Sequence, residues 1–162
     1  MKTGSCRCGN RIFFANYQCI RCEAVLGRCA ACEHLTSFTT KSDGGLKCDR
    51  AQCGALVTEC KNRELLTCNC MVDSSVGVAC QWCLFTSKLP NLTSADNVRR
   101  GSALEQAKRQ LLLQLAELGL PPYVDGVQES FPLRFEFLQD EIDEAGNTAP
   151  VFTGHANGVI TI

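Results

Sequence analysis

Thirteen cysteines are the residues of this chain whose type and spacing can do chemistry. All of them fall between Cys6 and Cys83, and the 79 residues that follow contain none. They recur as close pairs, CxC or CxxC, each followed after a gap by a second pair. That spacing aims four sulfurs at one point, which is how thiolates hold a metal ion. The first set is Cys6-x-Cys8 with Cys19-x-x-Cys22, and the second is Cys29-x-x-Cys32 with Cys48-x4-Cys53. A third set must come from Cys60, Cys68, Cys70, Cys80 and Cys83. Cys80-x-x-Cys83 is a clear knuckle, but its partner pair is open. Cys68-x-Cys70 would copy Cys6-x-Cys8 and leave Cys60 spare; Cys60 with Cys68 would leave Cys70 spare. Spacing favours the first.

Four thiolates fill the tetrahedron of zinc and leave no position for substrate, so such sites are structural. Three zinc ions are therefore expected. The spacings are not those of iron–sulfur clusters, which makes zinc the metal of choice. Disulfides are the competing chemistry and need an oxidising compartment. The cysteine count is odd, and Met1-Lys2-Thr3-Gly4-Ser5-Cys6-Arg7 offers no apolar run for a signal peptide. Metal and a cytoplasmic setting are the reading. A redox role for a CxxC pair needs a helix start in a βαβ unit, and nothing near these pairs has that pattern.

Turns and short strands must position the sulfurs. Gly9 follows Cys8 and Gly54 follows Cys53, where a tight knuckle calls for a positive φ. Arg11-Ile12-Phe13-Phe14 is a β-prone run between the first two pairs. Phe38-Thr39-Thr40, Asp43-Gly44-Gly45 and Leu46 read as strand, turn and strand between the next two. This half is short of apolar residues, and small domains of that kind use metal as a staple. His34 beside four thiols reads as a surface residue.

From Ser94 the pattern changes. Thr93 or Ser94 can cap a helix. Leu104, Ala107, Leu111, Leu115 and Leu118 recur at helical spacing, with Val98 and Leu112 beside them and Arg99, Arg100, Glu105, Lys108, Arg109 and Glu117 mostly on the other face. An amphipathic helix packing through its leucine stripe is expected, closed by Gly119 and stopped by Pro121-Pro122. Phe131, Leu133, Phe135 and Phe137 alternate with polar residues and predict a strand with an aromatic inner face. The acidic stretch from Leu138 to Asn147 predicts a loop. Val151-Phe152-Thr153 and Val159-Ile160-Thr161-Ile162 predict a hairpin joined through Gly154–Gly158.

The expected fold class is α+β: a cysteine-rich zinc-ribbon region with rubredoxin-like knuckles, then an amphipathic helix and a small β-sheet with a hairpin. The expected organisation is tandem zinc ribbons over residues 1–58, a third zinc-binding ribbon over 59–93, and helix plus strands over 94–162.

Charge argues against nucleic acid. The net formal charge is −1. Residues 1–93 carry a formal +4, which three Zn(Cys)4 centres at −2 each would take to about −2. Residues 94–162 carry a formal −5. A nucleic-acid binder would show a basic patch. No run approaches the ~20 apolar residues of a membrane-spanning helix.

Several stretches resemble a known family in the same order. Cys6-Arg7-Cys8-Gly9-Asn10-Arg11-Ile12-Phe13-Phe14-x-Asn16 with Cys19-x-x-Cys22 resembles the opening of a bacterial zinc-binding metallopeptidase family with an N-terminal zinc ribbon. Cys60-Lys61-Asn62, Cys68-Asn69, Cys80-x-x-Cys83 and Leu89-Pro90-Asn91-Leu92 resemble its second zinc-binding stretch. Glu105–Leu112 through Leu118–Pro121 resembles its helix, and Thr153–Ile162 the strand ahead of its catalytic region. The resemblance implies that Cys60, not Cys70, pairs with Cys68, because the family carries a tryptophan at the position of Cys70. It gives no support for the set Cys29, Cys32, Cys48 and Cys53, which falls where the family varies. The ligand set is then Cys6, Cys8, Cys19 and Cys22; Cys29, Cys32, Cys48 and Cys53; Cys60, Cys68, Cys80 and Cys83.

The family's catalytic helix carries H-E-x-x-H, two zinc-binding histidines and a base. This sequence has no such motif, and its histidines are His34 and His155 alone. The chain is expected to be the non-catalytic zinc-binding region of such a peptidase, inactive alone, that recognises a protein substrate or partner. The alternatives are a free-standing zinc-ribbon adaptor between proteins and, below it, a nucleic-acid-binding ribbon protein.

Overall fold

The computed structural model describes residues 3–120, 133–142 and 145–162. The chain divides into two compact units, Met1–Gln81 and Trp82–Ile162.

The first unit is built on short strands because its sequence offers only short apolar runs. In chain order these are β1 (Thr3–Ser5), β2 (Arg11–Phe13), β3 (Val25–Arg28), β4 (Leu35–Thr40), β5 (Leu46–Cys48) and β6 (Leu56–Glu59), then the single-turn helix α1 (Arg63–Leu66) and β7 (Met71–Asp73). They form one seven-stranded sheet with the path β2-β1-β4-β5-β6-β7, and β3 joins it on β4. The organising strand is β4. Thr36 faces both Gly27 of β3 and Ser5 of β1, and Phe38 faces both Val25 of β3 and Cys48 of β5. One edge of β4 therefore takes β3, and the other takes β1 and then β5. The expected strand–turn–strand before the fourth cysteine pair is β4 and β5, and its turn is pinned where the Gly45 amide donates to Asp43 Oδ1 at 2.9 Å.

Two glycines permit this close sheet. A Cβ on Gly4 would lie 2.0 Å from the carbonyl oxygen of Leu35, and one on Gly27 would lie 2.3 Å from that of Asn69. Two small apolar clusters lie in this unit among the described residues. Ile12, Ala24 and Leu26 pack with Cys6 and Cys19, and Phe38, Leu46, Val57 and Met71 pack with Cys29 and Cys48. Candidate metal ligands thus make up two of the five buried residues in one cluster and two of the six in the other, consistent with a domain too small to order itself on apolar burial alone.

The second unit holds β8 (Thr86–Lys88), the helix α2 (Ala95–Glu117), β9 (Arg134–Glu136), β10 (Glu141–Ile142), β11 (Thr148–Ala149), β12 (Gly154–Ala156) and β13 (Val159–Thr161). Four strands run in the order β12-β13-β9-β8, with β9 parallel to both neighbours. Ser94 occupies the N-cap of α2, although its side chain makes no capping bond. The C-terminus is a Schellman turn. Leu120 N–H donates to Leu115 O, Gly119 N–H donates to Ala116 O, and Gly119 has φ +67°.

The face that α2 buries differs from the expected one. Gly101, Glu105, Lys108, Arg109 and Leu112 are buried, whereas Ala107, Leu111 and Leu118 are exposed and Leu104 and Leu115 are half-buried. Charged residues occupy this face as a cluster in which Glu105 pairs with both cations, Arg109 Nη1 lying 3.5 Å from Glu105 Oε2. Lys108 Nζ lies 2.8 Å from Glu105 Oε1 and 6.0 Å from the centre of the Phe135 ring, and Thr86 Oγ1 bonds both charged groups.

The strands also depart in detail. Phe135 and Phe137 are buried, with ring centres 6.1 Å apart. Phe131 lies outside the described residues. The stretch expected as an acidic loop contains β10, which pairs antiparallel with β11. The last hairpin turns at Asn157-Gly158, with φ +49° and +80°, and its first strand is Gly154–Ala156 instead of Val151–Thr153. Asn-Gly is the dipeptide whose backbone fits a two-residue hairpin turn, so it sets the register.

Candidate metal centres

The cysteines sit on knuckles with one repeated backbone pattern. The amide of Cys6 donates to Asn10 O, that of Cys19 to Ala24 O, that of Cys29 to His34 O and that of Cys48 to Ala55 O, all at 2.9–3.0 Å. Each knuckle closes on a residue in the left-handed region: Gly9 (φ +81°), Glu23 (+57°), Glu33 (+58°) and Gly54 (+60°). Gly9 and Gly54 are the glycines that the sequence marks. Glu23 and Glu33 do the same work without glycine's freedom, held by amide bonds to Cys19 O and Cys29 O.

The knuckles bring three groups of four sulfurs together. They are Cys6, Cys8, Cys19 and Cys22; Cys29, Cys32, Cys48 and Cys53; and Cys60, Cys68, Cys80 and Cys83. Within each group the ligand atoms lie within 4.8 Å of one another. Individual separations are 3.5 Å for Cys6–Cys22, 3.7 Å for Cys8–Cys19, 3.9 Å for Cys29–Cys53, 4.0 Å for Cys32–Cys48 and 3.7 Å for Cys68–Cys80. A tetrahedron with Zn–S bonds of ~2.3 Å has sulfur–sulfur edges of about 3.8 Å. A disulfide needs ~2.05 Å, and all thirteen cysteines are free thiols. The residues therefore fit three zinc ions. Zinc, when bound, would cross-link the two knuckles of each group and offset half of their thiolate charge.

The protein's own groups prepare the sulfurs. Burial raises the Cys6 thiol to about 11 and raises Cys29 and Cys48 also. Knuckle amides act in the opposite direction. The Arg21 amide, more than any other group, brings Cys19 down to about 6, and the Ala55 amide lowers Cys53. Each of the first two groups thus pairs a thiol held protonated with one that ionises readily.

Cys70 stands outside the third group, which takes Cys60. Cys70 is buried beside Cys68 and Cys80, and the hydrogen bond with Cys68 raises its pKa further than any other cause. Spacing alone pointed to Cys68-x-Cys70. The short helix α1 explains the difference, since it lies between Cys60 and Cys68 and the turns at its two ends close with the amides of Arg63 on Cys60 O and Cys68 on Asn62 O. The Cys80 amide also faces Cys60 Sγ at 3.3 Å.

The histidines lie elsewhere. His34 is exposed, with Nδ1 against the carbonyl oxygen of Cys32, and His155 is exposed on β12 opposite Ile160. Several supporting residues carry no spacing signal. Asn10 Nδ2 points to Cys19 Sγ at 3.9 Å, and Arg63 and Asn69 tie the third cysteine stretch to the first. Only contact across the sheet reveals them.

Paired knuckles on short strands, with sulfurs at tetrahedral spacing, define a zinc-ribbon protein. The chain belongs to the zinc-ribbon domain family, whose model matches residues 4–94. Residues 97–162 match a second family, described as "putative zinc-binding metallo-peptidase". The chain is similar to proteins of Mycobacterium bovis and Mycobacterium tuberculosis that are described as uncharacterized. Each is 30% identical over 156 residues, covering 96% of this chain and 40% of the relative. The chain thus spans two fifths of the length of these curated relatives. No solved structure matches it. Among the described residues, no helix is long and apolar enough to cross a membrane.

Proposed function

We propose that Cys6, Cys8, Cys19, Cys22, Cys29, Cys32, Cys48, Cys53, Cys60, Cys68, Cys80 and Cys83 ligate three structural zinc ions. The ribbon region so formed recognises a protein substrate or partner on behalf of a zinc metallopeptidase. Residues 1–58 carry two centres, residues 59–93 complete the third, and residues 94–162 supply the first α/β elements of the peptidase-like domain. The chain works in the cytoplasm, where thiols stay reduced.

The observation that carries this reading is continuity. The zinc-ribbon match over residues 4–94 runs almost directly into the metallo-peptidase match over residues 97–162. The four-thiolate geometry favours a structural role for these centres, because it leaves no open position for substrate. A hydrolytic zinc needs three protein ligands and water, and His34 and His155 do not join any of the three cysteine groups. Recognition is supported by Ile20, an apolar side chain 94% exposed between Cys19 and Cys22.

The test compares peptide cleavage by this chain with that of a longer protein carrying an H-E-x-x-H helix after the same region. This chain alone is expected to leave casein intact. Deleting residues 1–93 from the longer protein is expected to raise KM for protein substrates and leave cleavage of short peptides unchanged. Chelator-sensitive cleavage by this chain alone would refute the reading, as would a deletion without effect on protein substrates.

A further inference from the structure

Arg7 lies between two sulfurs of the first centre, Cys6 and Cys8, and Asp49 directly follows Cys48 of the second. The two residues meet on β4. The Arg7 amide donates to Ser37 Oγ at 2.9 Å, and Ser37 Oγ donates to Asp49 Oδ2 at 2.7 Å. The Arg7 guanidinium donates to Thr39 Oγ1 at 2.8 Å, and Thr39 Oγ1 donates to Asp49 Oδ1 at 2.6 Å. The Asp49 amide returns to Ser37 O at 3.1 Å, and Arg7 Nη1 lies 3.9 Å from Asp49 Oδ2.

We infer that the first and second centres load zinc cooperatively, and that Asp49 carries the coupling. The inference rests on zinc ligation by these cysteines as proposed above. A knuckle is ordered by its metal, so metal binding energy is also folding energy. Without zinc in the first centre, the Arg7 turn is free to leave β4. Ser37, which is fully buried, then loses the amide it accepts from. Asp49 loses both the charge that faces it and the ordered hydroxyls that bridge to it. The Cys48 turn is consequently less well set for zinc, and linkage makes the effect reciprocal. The path is short, because one strand carries both hydroxyls and each carboxylate oxygen takes one of them. Sequence spacing gives no sign of it, since Arg7 and Asp49 are far apart in the chain.

The test disables the first centre with Cys22→Ser and reads the second. The full 162-residue chain, loaded with zinc, is titrated with EDTA in the presence of iodoacetamide. Peptide mapping then reports alkylation of Cys48 and Cys53. The Cys22→Ser chain is expected to release Cys48 and Cys53 at about tenfold lower EDTA than the wild type, within the usual range of such couplings. In an Asp49→Asn background, adding Cys22→Ser is expected to shift release by about twofold or less. Thr39→Val, an exposed strand position that keeps β-branching, serves as the second variant if Asp49→Asn does not fold, and should reduce the shift likewise. An unchanged EDTA midpoint in the Cys22→Ser chain would overturn the coupling. A full shift that survives both β4-network variants would overturn the route. Native mass of the wild type keeps the readings apart: fewer than two zinc ions at the outset would count against ligation itself.

Discussion

The Arg63 guanidinium donates to the Tyr17 carbonyl oxygen at 2.7 Å and lies 5.2 Å from the centre of the Tyr17 ring. The same side chain reaches Leu26 O at 3.3 Å and pairs with Glu59 Oε1 at 2.7 Å while almost wholly buried. One residue of α1 thereby fastens the Cys60 stretch to the first ribbon. Asn69 adds a second tie through its bond to Phe14 O, and the Arg28 amide returns to Asn69 O. Truncating Arg63 would take this donor from the buried Leu26 carbonyl and leave the Tyr17 carbonyl with the Leu26 amide. Arg63→Ala is expected to cost about 2–4 kcal/mol, read as a lower unfolding midpoint of the zinc-loaded chain with its zinc content unchanged. An unaltered midpoint would mean that the tie carries no stability.

The charged face of α2 gives a second expectation. Glu105 is fully buried and holds Lys108, also buried, at 2.8 Å. Arg109 Nη1, also buried, lies 3.5 Å from Glu105 Oε2. Removing only the acid strands two buried cations, which is far worse than replacing the whole triad. Glu105→Ala is expected to destabilise the unit by about 3–5 kcal/mol, and the triple change Glu105→Leu, Lys108→Met and Arg109→Met by much less. Denaturant unfolding of the wild type and the two variants measures the difference. Equal losses would show that the three residues act independently.

Zinc affinity should rise with pH, and the sign follows from the thiols. Burial holds Cys6 protonated with a pKa raised to about 11, so zinc must displace its proton at neutral pH. Cys19, brought down to about 6 first by the Arg21 amide, is already a thiolate there and releases nothing. Below about 6 it takes up a proton that zinc must also displace. The logarithm of first-centre affinity against pH should therefore have a positive slope that steepens by about one below pH 6. Competition with a chelator over pH 5–8, corrected for the chelator's own protonation, measures it. A slope that flattens on acidification would contradict the assignment.

What could be read from the sequence was local. Cysteine spacing identified the knuckles, Gly9 and Gly54 their closing turns, and Asp43-Gly44-Gly45 the turn between β4 and β5, because a tight turn leaves its mark within a few residues. Gly119 and the prolines after it marked the end of α2 for the same reason. The buried face of α2 was hidden. Its leucine repeat follows helical periodicity, yet Glu105, Lys108 and Arg109 are inside, because Thr86 and Phe135 receive Glu105 and Lys108 from strands remote in sequence and Arg109 pairs with Glu105. Glu23 and Glu33 were equally silent, since no composition rule marks a glutamate in the left-handed region. The Asn157-Gly158 turn is legible in the sequence, but the β-prone run Val151–Thr153 lies three residues ahead of Gly154–Ala156, the strand that pairs, whose residue types carry no strand signal.

The proposed function rests on three zinc ions held by twelve of the thirteen cysteines, with Cys70 the remaining thiol. Native mass spectrometry of the purified chain, set beside its denatured mass, tests it most directly. Three zinc ions are expected in the wild type, three in Cys70→Ala and two in Cys60→Ser, with no mass deficit from disulfides. Two ions in the wild type, loss of one in Cys70→Ala, or a metal-free chain with paired cysteines would contradict it.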